Sequence, residues 1–412
     1  MHKKEKSMKS RKLLILVAPL LILSACQNPS DSSSGTTSSP ALSSPDSSSS
    51  PDSSSTPESS STSTGITQNL DWTSSDFQAL TELTLDDAAL KTLSESYLAH
   101  FNDADFKKDN TNVKKLTFLG ENYNLETLFS SKGQTDPVFP NLETVILTEA
   151  KTIDDSSFKD HTQLKQIELP DSLTNIGSQA FSGCTSLTDI AIPAGVTTIQ
   201  YSTFEFCTAL KSITLPETVT TIENSAFTND TSLAEITLPS SLTTIGSEAF
   251  LGSGLESIVL PDSVTELGEG AFRECHKLWN IKLSSKLTEI PYAAFKDCTN
   301  DLTFLNTISN ITDFVLEIPE GVTEIGDYAF KGNTYLFNLI LPSTIASIGS
   351  ETLEGTACAI FYRGTKLPDG LDPTTLFPAR CPFYFYSETE PAQDSTEKYW
   401  HFVDNVPTPW TK

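Results

Sequence analysis

The chain has 412 residues and a formal net charge of −26, from 53 acidic and 27 basic side chains. So large an excess of acid repels nucleic-acid phosphates and anionic lipids, and it argues against both as partners. The seven cysteines include no Cys-x-x-Cys pair, and at this low density they predict neither a disulfide scaffold nor a zinc site.

Residues 1–25 are predicted to be a secretory signal peptide. Six basic residues and one acid lie within residues 1–12, and an apolar run extends from Leu13 to Leu23. This order of segments is typical of signal peptides. The apolar run is too short for a transmembrane helix, which needs roughly 20 apolar residues.

The sequence Leu-Ser-Ala-Cys, which ends at Cys26, resembles a lipobox, the motif at which bacterial lipoproteins are cleaved and diacylated on the cysteine sulfur. The resemblance implies a diacylglyceryl anchor on Cys26 that holds the protein at the extracellular face of the bacterial membrane. An ordinary signal peptide that happens to end near a cysteine is the alternative. The absence of aspartate at position 27 and the long polar segment that follows favour a Gram-positive cell surface over a periplasm.

Residues 26–65 are predicted to be a lipidated cysteine followed by a disordered stalk. After Cys26 the segment consists almost entirely of Ser, Thr, Pro, Asp and Gly, so it has too few apolar groups to offset the entropy of ordering. A segment of this kind next to a lipid anchor would lift a domain away from the membrane.

Residues 66–140 are predicted to be an N-terminal capping region with degenerate repeats. Two apolar patterns, Leu80–Leu85 and Val113–Phe118, have the spacing of short strands. Between them, Asp86–Leu98 is predicted to be helical, with Asp86 as the N-cap.

An internal repeat of about 23 residues dominates residues 141–355. Its clearest members are phenylalanines, spaced by 23 residues except for one interval of 22 and one of 35: Phe158, Phe181, Phe204, Phe227, Phe250, Phe272, Phe295 and Phe330, continued by Leu353. Prolines recur with them at Pro170, Pro193, Pro216, Pro239, Pro261, Pro319 and Pro342. A fixed period of this length with regularly spaced Leu and Ile predicts a leucine-rich-repeat solenoid, built mostly of short strands stacked in coils.

Each recurring position has a physical reason. Alternating apolar pairs such as Ile213/Leu215 and Ile236/Leu238 predict a strand with one face inward, and the proline that follows ends the strand because it lacks an N–H donor. Leu242 and Ile245 represent a second extended segment whose side chains point inward. The phenylalanine fills the far side of the coil, and stacking joins these residues into continuous apolar ladders.

These residues resemble the BspA-like family of leucine-rich repeats, whose unit reads approximately L-x-x-I-x-L-P-x-x-V-T-x-I-G-x-x-A-F-x-x-C. The segment Leu164–Cys184 matches nearly throughout, and the resemblance covers roughly residues 141–355. It departs at Ser284, which replaces the proline, and at 12 extra residues within 299–314.

Residues 356–412 are predicted to be a β-rich C-terminal cap, with strands at Pro382–Tyr386 and Tyr399–Val403.

Residues suited to catalysis are scattered. Four histidines remain after the signal peptide, at His100, His161, His276 and His401, and no metalloprotease, nucleophile-elbow or phosphate-loop motif is present. We therefore expect a protein that is not an enzyme and that uses no metal or cofactor. His161 and His276 follow the phenylalanine column and are interpreted as solvated loop residues.

Four cysteines lie three residues after a column phenylalanine, as two neighbouring-coil pairs: Cys184/Cys207 and Cys275/Cys298. Adjacent coils are ~4.8 Å apart, and disulfides accept Cα separations of roughly 4.4–6.8 Å, so either pair could be bridged. A ladder of buried free thiols is the favoured alternative, since Asp230, Ser253 and Asn333 occupy the same column elsewhere.

The candidate binding residues lie around the irregular coil at 299–314. Aromatic, amide and basic side chains there could stack on and hydrogen-bond to a partner, beside a loop on a rigid scaffold. They are Trp279, Asn280, Lys282, Tyr292, Tyr328, Phe337 and Asn338. Packing around the irregular coil is the competing interpretation of the aromatics.

The resemblance implies a surface adhesin, so we expect a monomeric lipoprotein that presents its solenoid to an extracellular protein or glycan. A passive structural or decoy surface protein is the alternative, and a column of threonines on one flank favours it mildly. An anchored hydrolase or solute-binding receptor fits less well, because a uniform solenoid has no two-lobed pocket.

Overall fold

The computed structural model describes residues 67, 71, 73–100, 112–123, 139–298, 315–334, 336–392, 397–403 and 406–410, with side chains omitted for 97–100, 122 and 123. The predicted signal peptide, Cys26, the stalk and the extra residues at 299–314 lie outside this part of the chain. No helix in the described ranges combines the length and the apolar character needed to cross a membrane.

Short strands dominate the described chain. Its helices are α1 (Ser75–Gln78), α2 (Asp87–His100) and α3 (Pro373–Leu376). Its strands are β1 (Glu82–Leu85), β2 (Lys115–Phe118), β3 (Asn122–Tyr123), β4 (Thr144–Leu147), β5 (Thr152–Ile153), β6 (Gln166–Glu168), β7 (Asn175–Ile176), β8 (Asp189–Ala191), β9 (Thr198–Ile199), β10 (Ser212–Thr214), β11 (Thr221–Ile222), β12 (Thr244–Ile245), β13 (Ser257–Val259), β14 (Glu266–Leu267), β15 (Asn280–Lys282), β16 (Glu289–Ile290), β17 (Val315–Glu317), β18 (Glu324–Ile325), β19 (Asn338–Leu341), β20 (Ser347–Ile348), β21 (Ala359–Tyr362), β22 (Phe383–Tyr386), β23 (Tyr399–Val403) and β24 (Val406–Pro409).

Most coils contribute two strands, which stack in parallel and in register on those of neighbouring coils. The first-strand face comprises β1, β2, β4, β6, β8, β10, β13, β15, β17, β19, β21 and β22. The second-strand face comprises the two-residue strands β3, β5, β7, β9, β11, β12, β14, β16, β18 and β20. The architecture is the predicted leucine-rich-repeat solenoid.

One predicted strand does not form. Residues around Ile236 and Leu238 are irregular, and the first-strand ladder is interrupted between β10 and β13. The next coil is the 22-residue one, and its missing residue falls between Phe250 and Leu255, in the turn that leads to β13. The shorter turn accounts for the loss of regular pairing between the two coils.

The phenylalanine column forms the centre of the stack. Its eight rings are at most 1% exposed, and successive ring centroids are 5.2–5.7 Å apart with the planes within 10° of parallel. Leu353 continues the column and is fully buried, as predicted. Each ring therefore packs against the rings of the neighbouring coils, which joins the coils into one hydrophobic core.

Left-handed residues recur in the turns that hold these rings. In most coils the residues two before and two after the phenylalanine have φ between about +50° and +80°, as for Gln179 and Gly183 around Phe181. Backbone of this kind is costly for side chains other than glycine, asparagine and aspartate. Stacking against adjacent coils offsets that cost in every turn.

Ser284, which takes the place of a column proline, is fully buried. Its hydroxyl donates a hydrogen bond of 2.7 Å to the carbonyl oxygen of Val264 in the preceding coil. A buried hydroxyl with a partner costs little, so the coil closes without the proline.

Both ends of the array are covered. At the N-terminal end, the side chain of Asp86 accepts a hydrogen bond from the N–H of Ala89 at 2.7 Å, which confirms it as the cap of α2. At the C-terminal end, Trp400 on β23 is fully buried and donates from Nε1 to the carbonyl oxygen of Tyr362 at 2.9 Å. The outermost strand, β24, pairs antiparallel with β23 and contains Pro407 and Pro409.

Candidate functional site

A column of buried polar side chains follows the phenylalanines, three residues later in each coil. The thiols of Cys184, Cys207, Cys275 and Cys298 each donate to the carbonyl oxygen of the phenylalanine one coil back, at 2.9–3.1 Å. Burial raises the pKa of all four thiols. All six cysteines in the described chain are free, which agrees with the favoured ladder of buried thiols.

His161 begins this column, so its interpretation as a solvated residue is wrong. It is 5% exposed, its ring meets the edge of Phe158 at 5.9 Å, and desolvation lowers its pKa to about 4. The cause is its position three residues after Phe158, where the other coils have cysteine. His276 lies one residue further along its coil and is exposed, as predicted.

The candidate binding residues divide between the two faces. Trp279 is half-buried just before β15, whereas Asn280 and Lys282 on that strand point into solvent. Phe337 and Asn338 lie at the equivalent positions beside β19 and are half-buried. These five residues belong to the first-strand face, and their role in binding stays a prediction.

The two candidate tyrosines meet on the other side of the coil. The rings of Tyr292 and Tyr328 are in edge contact, with centroids 5.6 Å apart and planes at 85°. Tyr292 is 46% exposed. Tyr328 has φ of +59°, at a position where other coils have small or flexible residues such as Ser156 and Ala293. The same left-handed turn recurs in the other coils, with the aromatic Phe206 at φ of +61°, so this backbone conformation belongs to the repeat.

A groove of about 580 Å³ lies beside these tyrosines on the second-strand face. Four carboxylates line it, from Glu269, Glu289, Glu324 and Asp327, together with Tyr292. Gly326 forms part of its floor, where a Cβ would lie 2.7 Å from the backbone nitrogen of Tyr292. The backbone of neighbouring coils therefore approaches closely at this point, and the groove depends on glycine here.

Two of the four groove carboxylates, Glu289 and Glu324, belong to one column of the second-strand face. Thr198, Thr221 and Thr244 occupy this column in three successive coils and are half-buried. Glu266, Glu289 and Glu324 then replace them, all exposed, with Glu289 and Glu324 directly paired in register. The column ends at Ser347.

Like charges on adjacent strands repel each other, and the described residues give this ladder little compensation. The nearby Lys331 forms ion pairs with Glu351 and Glu354, at 2.6 and 2.5 Å, rather than with the ladder. The hydroxyl of Thr244 donates a hydrogen bond of 3.3 Å to the carboxylate of Glu266, and none of the three ladder glutamates forms an ion pair with another described residue. The groove therefore presents uncompensated negative charge beside an aromatic pair.

Sequence reasoning identified the tyrosines but missed this glutamate ladder. The sequence does contain the pattern that predicts this ladder: each glutamate directly precedes an inward Leu or Ile of the second strand. A uniform column of threonines lies one residue before the glutamates, and a single repeat unit does not show which of the two columns lines a groove. Among the described residues, no group of three His, Cys, Asp or Glu side chains is arranged to hold a metal ion.

Comparison with protein families identifies the repeat. The family model described as "BspA type Leucine rich repeat region" matches in six copies, over residues 139–253, 207–315 and 315–362, which together exceed half of the chain. The chain belongs to the BspA-type leucine-rich-repeat family. Proteins with this repeat are typically binding scaffolds rather than enzymes, which makes an interaction role the general expectation for this member.

Several solved bacterial structures are similar to the chain. A leucine-rich cell surface protein from Faecalibacterium prausnitzii is 23% identical, with 69% of this chain and 83% of that chain covered and a TM-score of 0.33. A leucine-rich-repeat protein from Bacteroides ovatus is 23% identical, with 68% and 85% covered and a TM-score of 0.39. The leucine-rich-repeat protein of T. pallidum is 26% identical, with 52% and 75% covered and a TM-score of 0.33. A search of curated proteins found no match.

Proposed function

We propose that this BspA-type protein is a cell-surface lipoprotein that binds an extracellular protein partner through the groove on its second-strand face. The observation that carries the proposal is the combination of four carboxylates with Tyr292 in the lining of one groove, with the ring of Tyr328 packed against Tyr292 beside it. Aromatic side chains at a protein surface are enriched in binding sites, and they supply contact area at low entropic cost.

A passive structural or decoy protein is the second candidate. A uniform polar flank would favour it, and the coils with Thr198, Thr221 and Thr244 are of that kind. The change to glutamate at Glu266, Glu289 and Glu324 falls in the coils that line the groove, and so does the contact of Tyr292 with Tyr328. A charged and aromatic patch restricted to a few coils favours a specific partner over a uniform coat.

The charge of the groove indicates the kind of partner. Negative potential repels sulfated and other anionic glycans and attracts lysine- and arginine-rich segments. We therefore favour a protein with a basic docking segment over an anionic glycan. The association rate of such a pair falls as salt rises, because mobile ions screen the attraction.

Removal of the ladder charges tests this proposal. The double variant Glu289→Gln/Glu324→Gln is expected to reduce capture of basic extracellular-matrix proteins about tenfold or more, without lowering the melting temperature, because it also relieves repulsion. Capture on an immobilised panel of these proteins, with sulfated glycans alongside, measures the effect. Glu168→Gln/Glu235→Gln is the matched control: it removes two exposed charges outside the groove and should leave capture unchanged.

Equal losses in the two double variants would assign the effect to net charge and would contradict the groove as the site. A further variant, Trp279→Ser/Phe337→Ser, examines the predicted contribution of the first-strand face. Weaker capture at an unchanged melting temperature would place part of the contact surface there. A large fall in melting temperature would assign these two aromatics to packing and remove them from the site.

The lipid anchor has its own test. Cys26→Ala is expected to release the protein into the medium or to block its processing, because the lipobox cysteine is the attachment point and signal-peptide cleavage depends on it. Detergent-phase partitioning of cell fractions, compared between the wild type and the variant, measures the anchoring. Unchanged partitioning of the variant would show that Cys26 does not carry a lipid.

A further inference from the structure

A second groove lies on the first-strand side of the solenoid, where the strand ladder is interrupted between β10 and β13. Its volume of about 630 Å³ suits a small ligand. Charged side chains and small residues line this charged groove, among them Lys211, Ala234, Glu235, Gly254, Glu256 and Lys277. It is separate from the groove beside Tyr292, which belongs to the second-strand face.

Two small residues form the floor of the charged groove. Ala234 occupies a column in which other coils have longer side chains, such as Lys165 and Trp279. Gly254 lies in the shortened turn of the 22-residue coil, where a Cβ would clash with the carbonyl oxygen of Thr231. The two coils therefore approach each other closely in this turn, and the longer side chains around it enclose a recess.

Backbone donors are left open in the same recess. The N–H groups of Lys165, Lys211 and Glu256 each donate to the preceding coil, at 2.8–2.9 Å. The equivalent N–H of Ala234 forms no hydrogen bond with another described residue, and neither does the N–H of Glu235. A backbone donor without a partner in the protein must be satisfied by solvent or by a ligand.

The charges of the groove, two of each sign, do not neutralise one another. Its two lysines and two glutamates form no ion pair with a described residue. Elsewhere the same column pairs its charges, as Lys165 does with Glu143 at 2.7 Å. Ala234 separates Lys211 from Glu256, which lie two coils apart, or about 10 Å at ~4.8 Å per coil. An isolated cation and an isolated anion therefore lie on opposite sides of the recess.

We propose that the charged groove binds a short extracellular peptide with free termini. Lys211 and the open N–H groups of Ala234 and Glu235 hold the C-terminal carboxylate, and Glu256 holds the N-terminal ammonium. An extended tripeptide spans about 10 Å at ~3.3 Å per residue, which matches the separation of Lys211 and Glu256. A ligand of a single sign would meet like charge in the same groove, which disfavours a simple anion or a polycation.

Titration with free and blocked peptides tests the proposal. Trialanine with free termini is expected to bind the full chain saturably, as measured by isothermal titration calorimetry. N-acetyl-trialanine and trialanine amide each lack one terminal charge, and each should bind about tenfold more weakly because one charge-assisted contact is lost. These titrations are independent of the capture of basic proteins at the glutamate ladder, so either proposal can fail alone.

Two single variants assign the peptide termini. Lys211→Gln should weaken the binding of trialanine about tenfold and leave that of trialanine amide unchanged, because the amide has no terminal carboxylate. Glu256→Gln should likewise weaken the binding of trialanine and leave that of N-acetyl-trialanine unchanged. Lys286→Gln and Glu168→Gln, which remove exposed charges outside the charged groove, are the matched controls.

A third variant fills the recess. Ala234→Trp should abolish binding, and the column accepts this side chain because Trp279 occupies it two coils later. The proposal is overturned if the wild type shows no saturable binding of trialanine, or if the blocked peptides bind as tightly as the free one. Equal losses in the groove and control variants would assign binding to net charge and would also contradict the site. The blocked peptides decide the question even if a variant does not fold.

Discussion

Replacement of Phe227 by alanine is expected to lower the free energy of unfolding by about 3–5 kcal/mol. The ring is fully buried and stacks on Phe204 at 5.5 Å and on Phe250 at 5.2 Å. Its removal leaves a cavity between two regular coils that cannot close, because backbone hydrogen bonds fix the spacing of the coils. Chemical denaturation followed by circular dichroism measures the loss.

Limited proteolysis locates the damage. Coils of a solenoid contact only their neighbours, so we expect new cleavage close to residue 227 before global unfolding. Phe206→Ala is the control in the preceding coil: this side chain is 46% exposed, and its loss should change stability by no more than about 0.5 kcal/mol. An unchanged melting curve and protease pattern for Phe227→Ala would show that the repeat register is wrong.

Asp230→Asn is expected to stabilise the protein at neutral pH by about 1–3 kcal/mol. Asp230 is fully buried in the polar column; the N–H of Cys207 lies close to its carboxyl group, but neither carboxyl oxygen has a well-aligned hydrogen-bond partner in the described chain. Asn333 fills the same place four coils later. Its Oδ1 accepts from the N–H of Cys298 at 3.0 Å, and its Nδ2 donates to the carbonyl oxygen of Phe295 at 2.7 Å. An aspartate can reproduce that pair of bonds only when it is protonated.

The same substitution should remove a pH dependence. Burial, the largest cause, raises the pKa of Asp230 well above 3.8, and the nearby Glu205 adds to the effect, while the N–H of Cys207 opposes it. Below pH 3.8 the folded and unfolded chains both hold the proton, and the wild type has its full stability. As pH rises, the unfolded chain ionises first, so stability falls until the folded carboxyl also ionises.

Unfolding free energies measured from pH 4 to pH 8 should therefore show the wild type falling increasingly below Asp230→Asn as pH rises. Asp171→Asn is the charge-matched control, since Asp171 is exposed and distant from the polar column. Its curve should run parallel to that of the wild type. A constant difference between the wild type and Asp230→Asn would mean that Asp230 does not change its protonation on folding over this range.

The periodic part of the fold was predictable because each column has a single physical purpose. The phenylalanines and the inward Leu and Ile positions recur at fixed spacing, and the structure buries them as expected. The failures occur where a coil departs from the period. His161 was misread because the first regular coil has histidine where later coils have cysteine, and the strand near Ile236 is lost beside the 22-residue coil.

The candidate site was predictable only in pieces. Trp279 and Tyr292 belong to successive segments of one coil, and their sequence proximity suggested one surface. The turn between the two strands places them on different faces. The contact of Tyr292 with Tyr328 spans 36 residues and depends on the stacking register, as does the pairing of Glu289 with Glu324. A single repeat unit does not reveal which side chains of different coils come together.

The prolines of β24 have a consequence for assembly. A sheet built of identical parallel rungs would, at an open end, offer its free N–H and C=O groups to another molecule, and so seed fibres. Here β24 runs in the opposite direction to the rungs, and two of its four residues, Pro407 and Pro409, have no N–H to offer. A second solenoid that approached this strand would find half of the amide donors missing and the polarity reversed. The strand therefore disfavours templated end-to-end growth of the repetitive sheet through this edge.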